Sequence, residues 1–145
     1  MKIINKFTGE YDFLSNFFYA VVYLDDMACP TNEHAYQAAK TLDPILRKRV
    51  IDSKSPAIAK KLGGKFLTRS DWREINLPLM ENLVIQKFSY PELKEKLLAT
   101  DDAILIEGNT WHDNFWGDCV CDECIHIKGK NHLGLIEMKV RDMLS

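Results

Sequence analysis

The chain has 145 residues, 46% of them hydrophobic and 28% charged, enough for one compact domain with a buried core. Its 19 basic and 21 acidic residues leave a net charge of −2, which argues against a groove gripping many phosphates but permits contact with a single modified nucleotide. No apolar run is long enough to span a bilayer, and Met1-Lys2-Ile3-Ile4-Asn5 lacks a signal-peptide pattern, so a cytoplasmic protein without membrane association is expected.

No repeat, low-complexity tract or linker divides the chain, and a single domain over residues 1–145 is expected. The first third reads as short strands. Residues 3–7 end at the Thr8-Gly9 turn signal. Residues 18–24 are aromatic and β-branched, and Asp25-Asp26 turns the chain into Met27-Ala28-Cys29. Pro30-Thr31-Asn32 then supplies a stop and an N-cap for a helix over residues 33–42. Pro44 opens a second helix with Ile45, Leu46, Val50 and Ile51 as its apolar members. Ser55-Pro56 opens a third, which Gly63-Gly64 ends.

Ser70-Asp71 starts a longer segment in which Ile75, Leu79, Leu83 and Phe88 lie near helical spacing, with Pro78 expected to kink or divide it. Pro91 begins a short helix through Leu93, Leu97 and Leu98. Residues 103–107 read as a buried strand, and residues 108–130 as a long loop without a regular period. Leu133, Ile136, Val140 and Leu144 mark the core face of a C-terminal helix. The expected fold class is α+β, a mainly helical domain with a small β-sheet.

Three segments can carry chemistry. Glu33, Tyr36, Gln37 and Lys40 fall at i, i+3, i+4 and i+7 and so share one helix face, while Ala35, Ala38, Ala39 and Leu42 line another. Composition alone favours a solvated face with a weak Glu33–Lys40 pairing, although the face carries few long charges. Residues 12–19 crowd aromatics around Ser15 and Asn16; core packing explains most of them, and a ligand site would use the rings for stacking. In residues 111–118, stacking on a flat ligand explains Trp116 better than packing, and Asp113 or Asp118 beside it can stabilise positive charge on a ribose. The alternative is a loop pinned by its aromatics, with the aspartates making turns.

Four cysteines are present, three of them in Cys119-Val120-Cys121-Asp122-Glu123-Cys124. In a cytosolic protein this cluster points to free thiols or a metal before disulfides. With His112 or His126 it amounts to four tetrahedral ligands for zinc. The first pair is separated by one residue and no second Cys-x-x-Cys exists, so no metal is assigned and no cofactor is expected.

Taken together the segments resemble the NADAR family, which includes the YbiA-like proteins. The resemblance rests on Phe13-Leu14-Ser15-Asn16-Phe17, Pro30-Thr31-Asn32-Glu33-His34-Ala35-Tyr36-Gln37-Ala38-Ala39-Lys40 and Arg69-Ser70-Asp71-Trp72. It continues with Lys87-Phe88, Leu105-Ile106-Glu107, Asp113-Asn114-Phe115-Trp116-Gly117-Asp118 and Gly129-Lys130-Asn131-His132-Leu133-Gly134. These pieces follow the family's order over nearly the whole chain.

The resemblance implies a compact, mostly helical domain that hydrolyses the ribose C1–N bond of N-glycosides. Some members of the family act on phosphoribosylamino-pyrimidine intermediates of riboflavin synthesis. Others remove ADP-ribose from guanine bases in DNA, reversing a DarT-type toxin. Residues 119–127 replace a shorter glycine-rich stretch of the YbiA-like form, which favours the second substrate, with ADP-ribosylated DNA and a DarT-type ADP-ribosyltransferase as the expected partners.

Such a reaction builds oxocarbenium character on the sugar, so a carboxylate and an acid for the leaving base are needed. Glu33 is the expected charge stabiliser or base, Lys40 the acid or a Schiff-base nucleophile, and Asp113 or Asp118 the second carboxylate. Phe13, Ser15, Asn16, Phe17, Tyr36, Trp72, Trp116, Gly117 and Asn131 are the expected substrate contacts. Two rival classes remain, a non-catalytic ADP-ribose reader and a zinc-knuckle interaction protein centred on Cys119 to Cys124.

Overall fold

The computed structural model describes residues 2–145; Met1, part of the N-terminal pattern read above, lies outside them. In chain order the elements are β1 (Ile3–Ile4), a 3-10 helix (Gly9–Leu14), β2 (Tyr19–Leu24), β3 (Met27–Thr31), α1 (Asn32–Ala38), α2 (Pro44–Ile51) and α3 (Pro56–Gly63). They continue as α4 (Trp72–Lys87), α5 (Pro91–Leu98), β4 (Ile104–Leu105), β5 (Gly108–Asn109), β6 (Asp118–Cys119) and α6 (His132–Leu144). The fold is α+β. Among the described residues no helix is long and apolar enough to cross a membrane.

The chain gathers into two compact units, one of residues 16–87 and one of the residues up to Ser15 together with residues 88–145. In the first, β2 and β3 form an antiparallel hairpin with Leu24 opposite Met27, joined by Asp25 in a left-handed conformation (φ 54°) that the tight turn requires. The hairpin delivers the chain into α1, which packs against α2, α3, α4 and both strands. Every residue of α1 is buried.

Local signals set the surrounding helices. The Asp43 and Ser55 side chains accept hydrogen bonds from Ile45 N and Ile58 N, each beside a proline in the first turn. α4 runs unbroken through Pro78, so of the expected kink or division the division does not occur. Pro78 and Glu74, whose carbonyl loses its helical donor, are both exposed, where water can satisfy it.

In the other unit β1 pairs parallel with β4, Ile3 opposite Ile104 and Ile4 opposite Leu105. The strands expected over 3–7 and 103–107 shrink to these two residue pairs, because each strand has one partner and the pairing runs no further than Ile4 opposite Leu105. Leu133, Ile136 and Val140 of α6 are buried, as their helical spacing demands. Arg141 anchors the end of α6 by donating from Nη1 to Thr100 Oγ1 and Ala103 O, both at 2.9 Å. The stretch read as an irregular loop contains β5 and β6, paired in parallel with Gly108 opposite Asp118 and Asn109 opposite Cys119.

Candidate active site

The solvated reading of the Glu33 helix fails on burial. Thr31, at the end of β3, keeps extended backbone while its hydroxyl accepts from His34 N at 3.1 Å, so α1 starts one residue earlier than expected. Glu33 N donates to Asn16 O at 3.1 Å, and the Glu33 side chain is tucked inside with the residue 8% exposed. Gln37, one turn on, donates from Nε2 to Glu33 Oε2 at 2.6 Å. Its Oε1 is buried without a hydrogen-bond partner. Gly63 of α3 lies against Gln37, with no room for a side chain.

His34 is buried and makes two further contacts, Nδ1 with Thr31 Oγ1 at 2.8 Å and Nε2 with Ser53 O at 3.1 Å. A carbonyl can only accept, so Nε2 carries the proton and Nδ1 accepts from the threonine hydroxyl. Burial, partly offset by the Ser53 carbonyl, holds the imidazole below its ordinary pKa, and it is neutral.

Helix α1 ends at Ala38, short of the expected Leu42. Lys40 follows in a tight turn, its N–H donating to Gln37 O at 3.2 Å and its carbonyl accepting from Arg69 N at 2.8 Å. The polar face therefore ends with the helix, and the turn carries the lysine onward. Burial pushes the Lys40 amine below its ordinary value, opposed by the Glu33 carboxylate and reinforced by Lys60. Lys40 Nζ lies 5.5 Å from the centre of the Tyr36 ring, and Tyr36 meets Trp72 with ring centroids 5.0 Å apart. Glu33, Tyr36, Lys40 and Trp72 are thus drawn together in one unit, with Asn16 bonded to the start of the helix. Phe17 in the same unit is 38% exposed.

The remaining expected residues belong to the other unit. Asp113 Oδ1 accepts from Phe115 N at 3.1 Å and Trp116 N at 2.9 Å, and Asp118 Oδ1 accepts from Gly129 N at 2.9 Å. Both carboxylates thus shape the loop backbone. Trp116 is half-buried and stands edge-on to Phe115 at 4.8 Å. Gly117 is buried, and a Cβ there would run into the Glu107 carbonyl and carboxylate. Asn131 spends its amide on strand backbone, accepting from Glu107 N at 2.9 Å and donating to Leu105 O at 2.8 Å. Phe13 is buried edge-on to Phe88 at 6.4 Å, and Ser15 N closes the 3-10 helix on Asp12 O at 3.0 Å.

Sequence reasoning missed Gln37 as the partner of Glu33, although the i, i+4 spacing was visible, and took Gly63 only as a helix stop. It also missed Asn109, whose side chain bonds Trp111 N, Asp113 N and Asp113 O. The same loop brings His112, Cys119, Cys121 and Cys124 together, their ligand atoms all within 4.8 Å of one another.

The NADAR domain model matches residues 5–145. The N-glycosidase YbiA of Escherichia coli is 36% identical over 99% of this chain and 89% of its own length. An N-glycosidase of Nostoc punctiforme is 33% identical, covering 94% and 88% of the two chains. A riboflavin biosynthesis protein of Vibrio vulnificus is 34% identical, the match covering 93% of this chain and 36% of that one. The NMR structure of Escherichia coli YbiA superposes with a TM-score of 0.83 at 33% identity, over 99% of this chain and 84% of that one.

Proposed function

The chain belongs to the NADAR family, and from that premise we propose that it hydrolyses the bond between ribose C1 and the nitrogen of a base. The carrying observation is the buried Glu33, bonded by Gln37 and electrostatically coupled to a lysine whose amine is held below its ordinary pKa. A buried acid beside a half-buried amine contributes little to folding that apolar residues would not supply better. They suit a reaction that builds positive charge on a sugar and expels a base.

In the proposed mechanism Glu33 stabilises the oxocarbenium-like transition state or activates water. Lys40 donates a proton to the departing base, an assignment helped by its lowered pKa, which brings proton donation closer to neutral pH. Trp72 and Tyr36, their ring planes inclined at 55°, offer aromatic surface for the base or adenine. Asp113, Asp118 and Trp116, expected as further site residues, belong to the other unit and take no step in this mechanism. Lys40 as a Schiff-base nucleophile is the competing role; borohydride added during turnover would trap an adduct only in that case.

The proposed substrate is the guanine N-glycoside of ADP-ribose in DNA, with a DarT-type ADP-ribosyltransferase as the functional counterpart. It rests on the expectation from the resemblance that residues 119–127 replace a shorter stretch of the YbiA-like form. A phosphoribosylamino-pyrimidine is the second reading, favoured by the riboflavin biosynthesis name of the Vibrio vulnificus relative. Side-by-side hydrolysis of the two substrates tests the choice, and Glu33→Gln should abolish turnover of the preferred one while binding persists. A nearly active Glu33→Gln enzyme would sink the mechanism. Binding of ADP-ribosylated DNA with no release of ADP-ribose would replace the enzyme by a reader.

A further inference from the structure

The Cys119–Cys124 segment supplies no catalytic residue to the proposed hydrolysis, yet the fold closes it around a point. His112 Nδ1 lies 3.4 Å from Cys121 Sγ, 3.4 Å from Cys124 Sγ and 4.0 Å from Cys119 Sγ. All four ligand atoms fall within 4.8 Å of one another. A tetrahedral zinc ion with ordinary Zn–S and Zn–N bonds sets donor separations of about 3.6 to 3.8 Å. We propose that His112, Cys119, Cys121 and Cys124 form a structural zinc site that fixes the loop between β5 and α6.

The fold supplies what the sequence spacing lacked. Cys121 and Cys124 form a Cys-x-x-Cys turn, with Cys124 N donating to Cys121 O at 3.0 Å. The other two ligands come from the parallel pairing of β5 with β6, which sets Cys119 opposite Asn109. Asn109 Oδ1 accepts from Trp111 N at 3.2 Å and from Asp113 N at 3.1 Å, bracketing His112 between them. His112 itself takes the left-handed region (φ 68°), which histidine adopts more readily than most residues, and its ring turns to the sulfurs. Cys119 N is tied to Asn114 Oδ1 at 2.9 Å. His126, the other histidine available in sequence, is not in the group.

Three thiolates and a neutral imidazole fill a tetrahedral ion's coordination, leaving no position for water, so the site is structural. Soft sulfur donors select zinc over magnesium or calcium. Binding takes place with loss of the thiol protons, three at most, and joins the ends of a loop that carries Asp113, Trp116 and Asp118. The metal would hold that loop in the shape in which Asp113 and Asp118 cap its backbone.

The test is metal content of the full-length protein, purified reduced and then equilibrated with zinc and passed through a desalting column. About one zinc per chain is expected, and cobalt in its place should give the visible bands of a tetrahedral ion with thiolate charge transfer. Cys121→Ser and His112→Asn should each lower retained zinc at least tenfold, while His126→Asn retains it. Circular dichroism identifies a variant that has merely unfolded. If Cys121→Ser unfolds, the cobalt spectrum of the unmutated chain decides alone. A reduced, folded chain that retains no zinc and gives only the spectrum of hydrated cobalt overturns the proposal, as does equal retention by His112→Asn. Neither readout depends on hydrolysis, so the site stands or falls apart from the N-glycosidase reading.

Discussion

Gly63→Ala sets helix propensity against the packing that holds Gln37. A Cβ on Gly63 would overlap Gln37 Oε1 and lie 2.8 Å from Gln37 Cβ and 2.9 Å from its Cδ. The closer carbon is roughly 0.7 Å short of an ordinary carbon–carbon contact. Because Gln37 Cβ is fixed by the α1 backbone, a rotamer change alone does not clear the overlap. α1 and α3 must part slightly, and Gln37 must also release Glu33 Oε2. Replacing glycine in a helix gains at most about 1 kcal/mol, and overpacking costs about 1 to 3 kcal/mol, so a net loss of about 0 to 2 kcal/mol is expected. A carboxylate displaced by even a fraction of an ångström has a far larger effect on rate, roughly tenfold to a hundredfold in kcat. Steady-state hydrolysis and thermal unfolding, measured together, should show a large fall in kcat beside a shift of only a few degrees in Tm. Adding Gln37→Gly removes the overlapping oxygen and the Cβ contact together, and should recover the packing loss, less about 1 kcal/mol for a glycine inside α1, without restoring kcat. A Gly63→Ala enzyme with unchanged kcat, or a double variant that regains it, would refute Gln37 as the residue that positions Glu33.

Lys40→Arg keeps a positive charge that cannot be lost, so the alkaline fall in rate expected as Lys40 deprotonates, below its ordinary 10.5, should vanish from a slow residual activity. A rate that instead rises with pH through that range would assign Lys40 the nucleophile's role. His34 is neutral in the fold and its pKa is depressed, so the unfolded chain binds more protons below pH 6.5. Stability should therefore fall as pH drops from 6.5 through the folded pKa, and a slope of Tm against pH that persists in His34→Gln would remove this histidine as its source. Thr31→Ala loses a helix cap and the partner of His34 Nδ1, about 2 kcal/mol together by denaturant unfolding. For Asn131 the split between backbone and amide is measurable, because its φ of 52° suits glycine. Asn131→Gly should lose only the two strand hydrogen bonds, about 2 kcal/mol, and Asn131→Ala about 1 kcal/mol more. Equal losses would show that the left-handed backbone is not held in place.

The helices were legible because their signals are local. Asp43-Pro44 and Ser55-Pro56 carry cap and first-turn proline side by side, and the β2–β3 hairpin announces itself by its aromatic and β-branched run. Strand lengths were not legible, since two-residue ladders such as Ile3–Ile4 on Ile104–Leu105 depend on a partner a hundred residues away. The same holds for the loop after β4. Nothing local to Cys119 says that it will stand opposite Asn109, and without that register the cysteines and His112 have no common centre. Pro78 does not divide α4, because the carbonyl it leaves without a donor, that of Glu74, is exposed to water.

Helix α1 is where local and global preferences part most widely. Its composition of Asn32, Glu33, His34 and Gln37 belongs on a surface, yet all four are buried. Burial of such groups is tolerated only where partners come from elsewhere in the chain, and here Asn16 takes the Glu33 N–H, Ser53 and Thr31 take His34, and Gln37 takes Glu33. An apolar helix would fill this position more simply and without an unpartnered Gln37 oxygen. The fold therefore gains nothing in stability from a carboxylate here, and the small residues Ala35, Ala38, Ala39 and Gly63 serve to press the neighbouring elements close around it. A sequence that departs from its own packing rules at one helix, and partners the departure from Asn16, Thr31 and Ser53 outside that helix, marks it as the place where function outweighs stability.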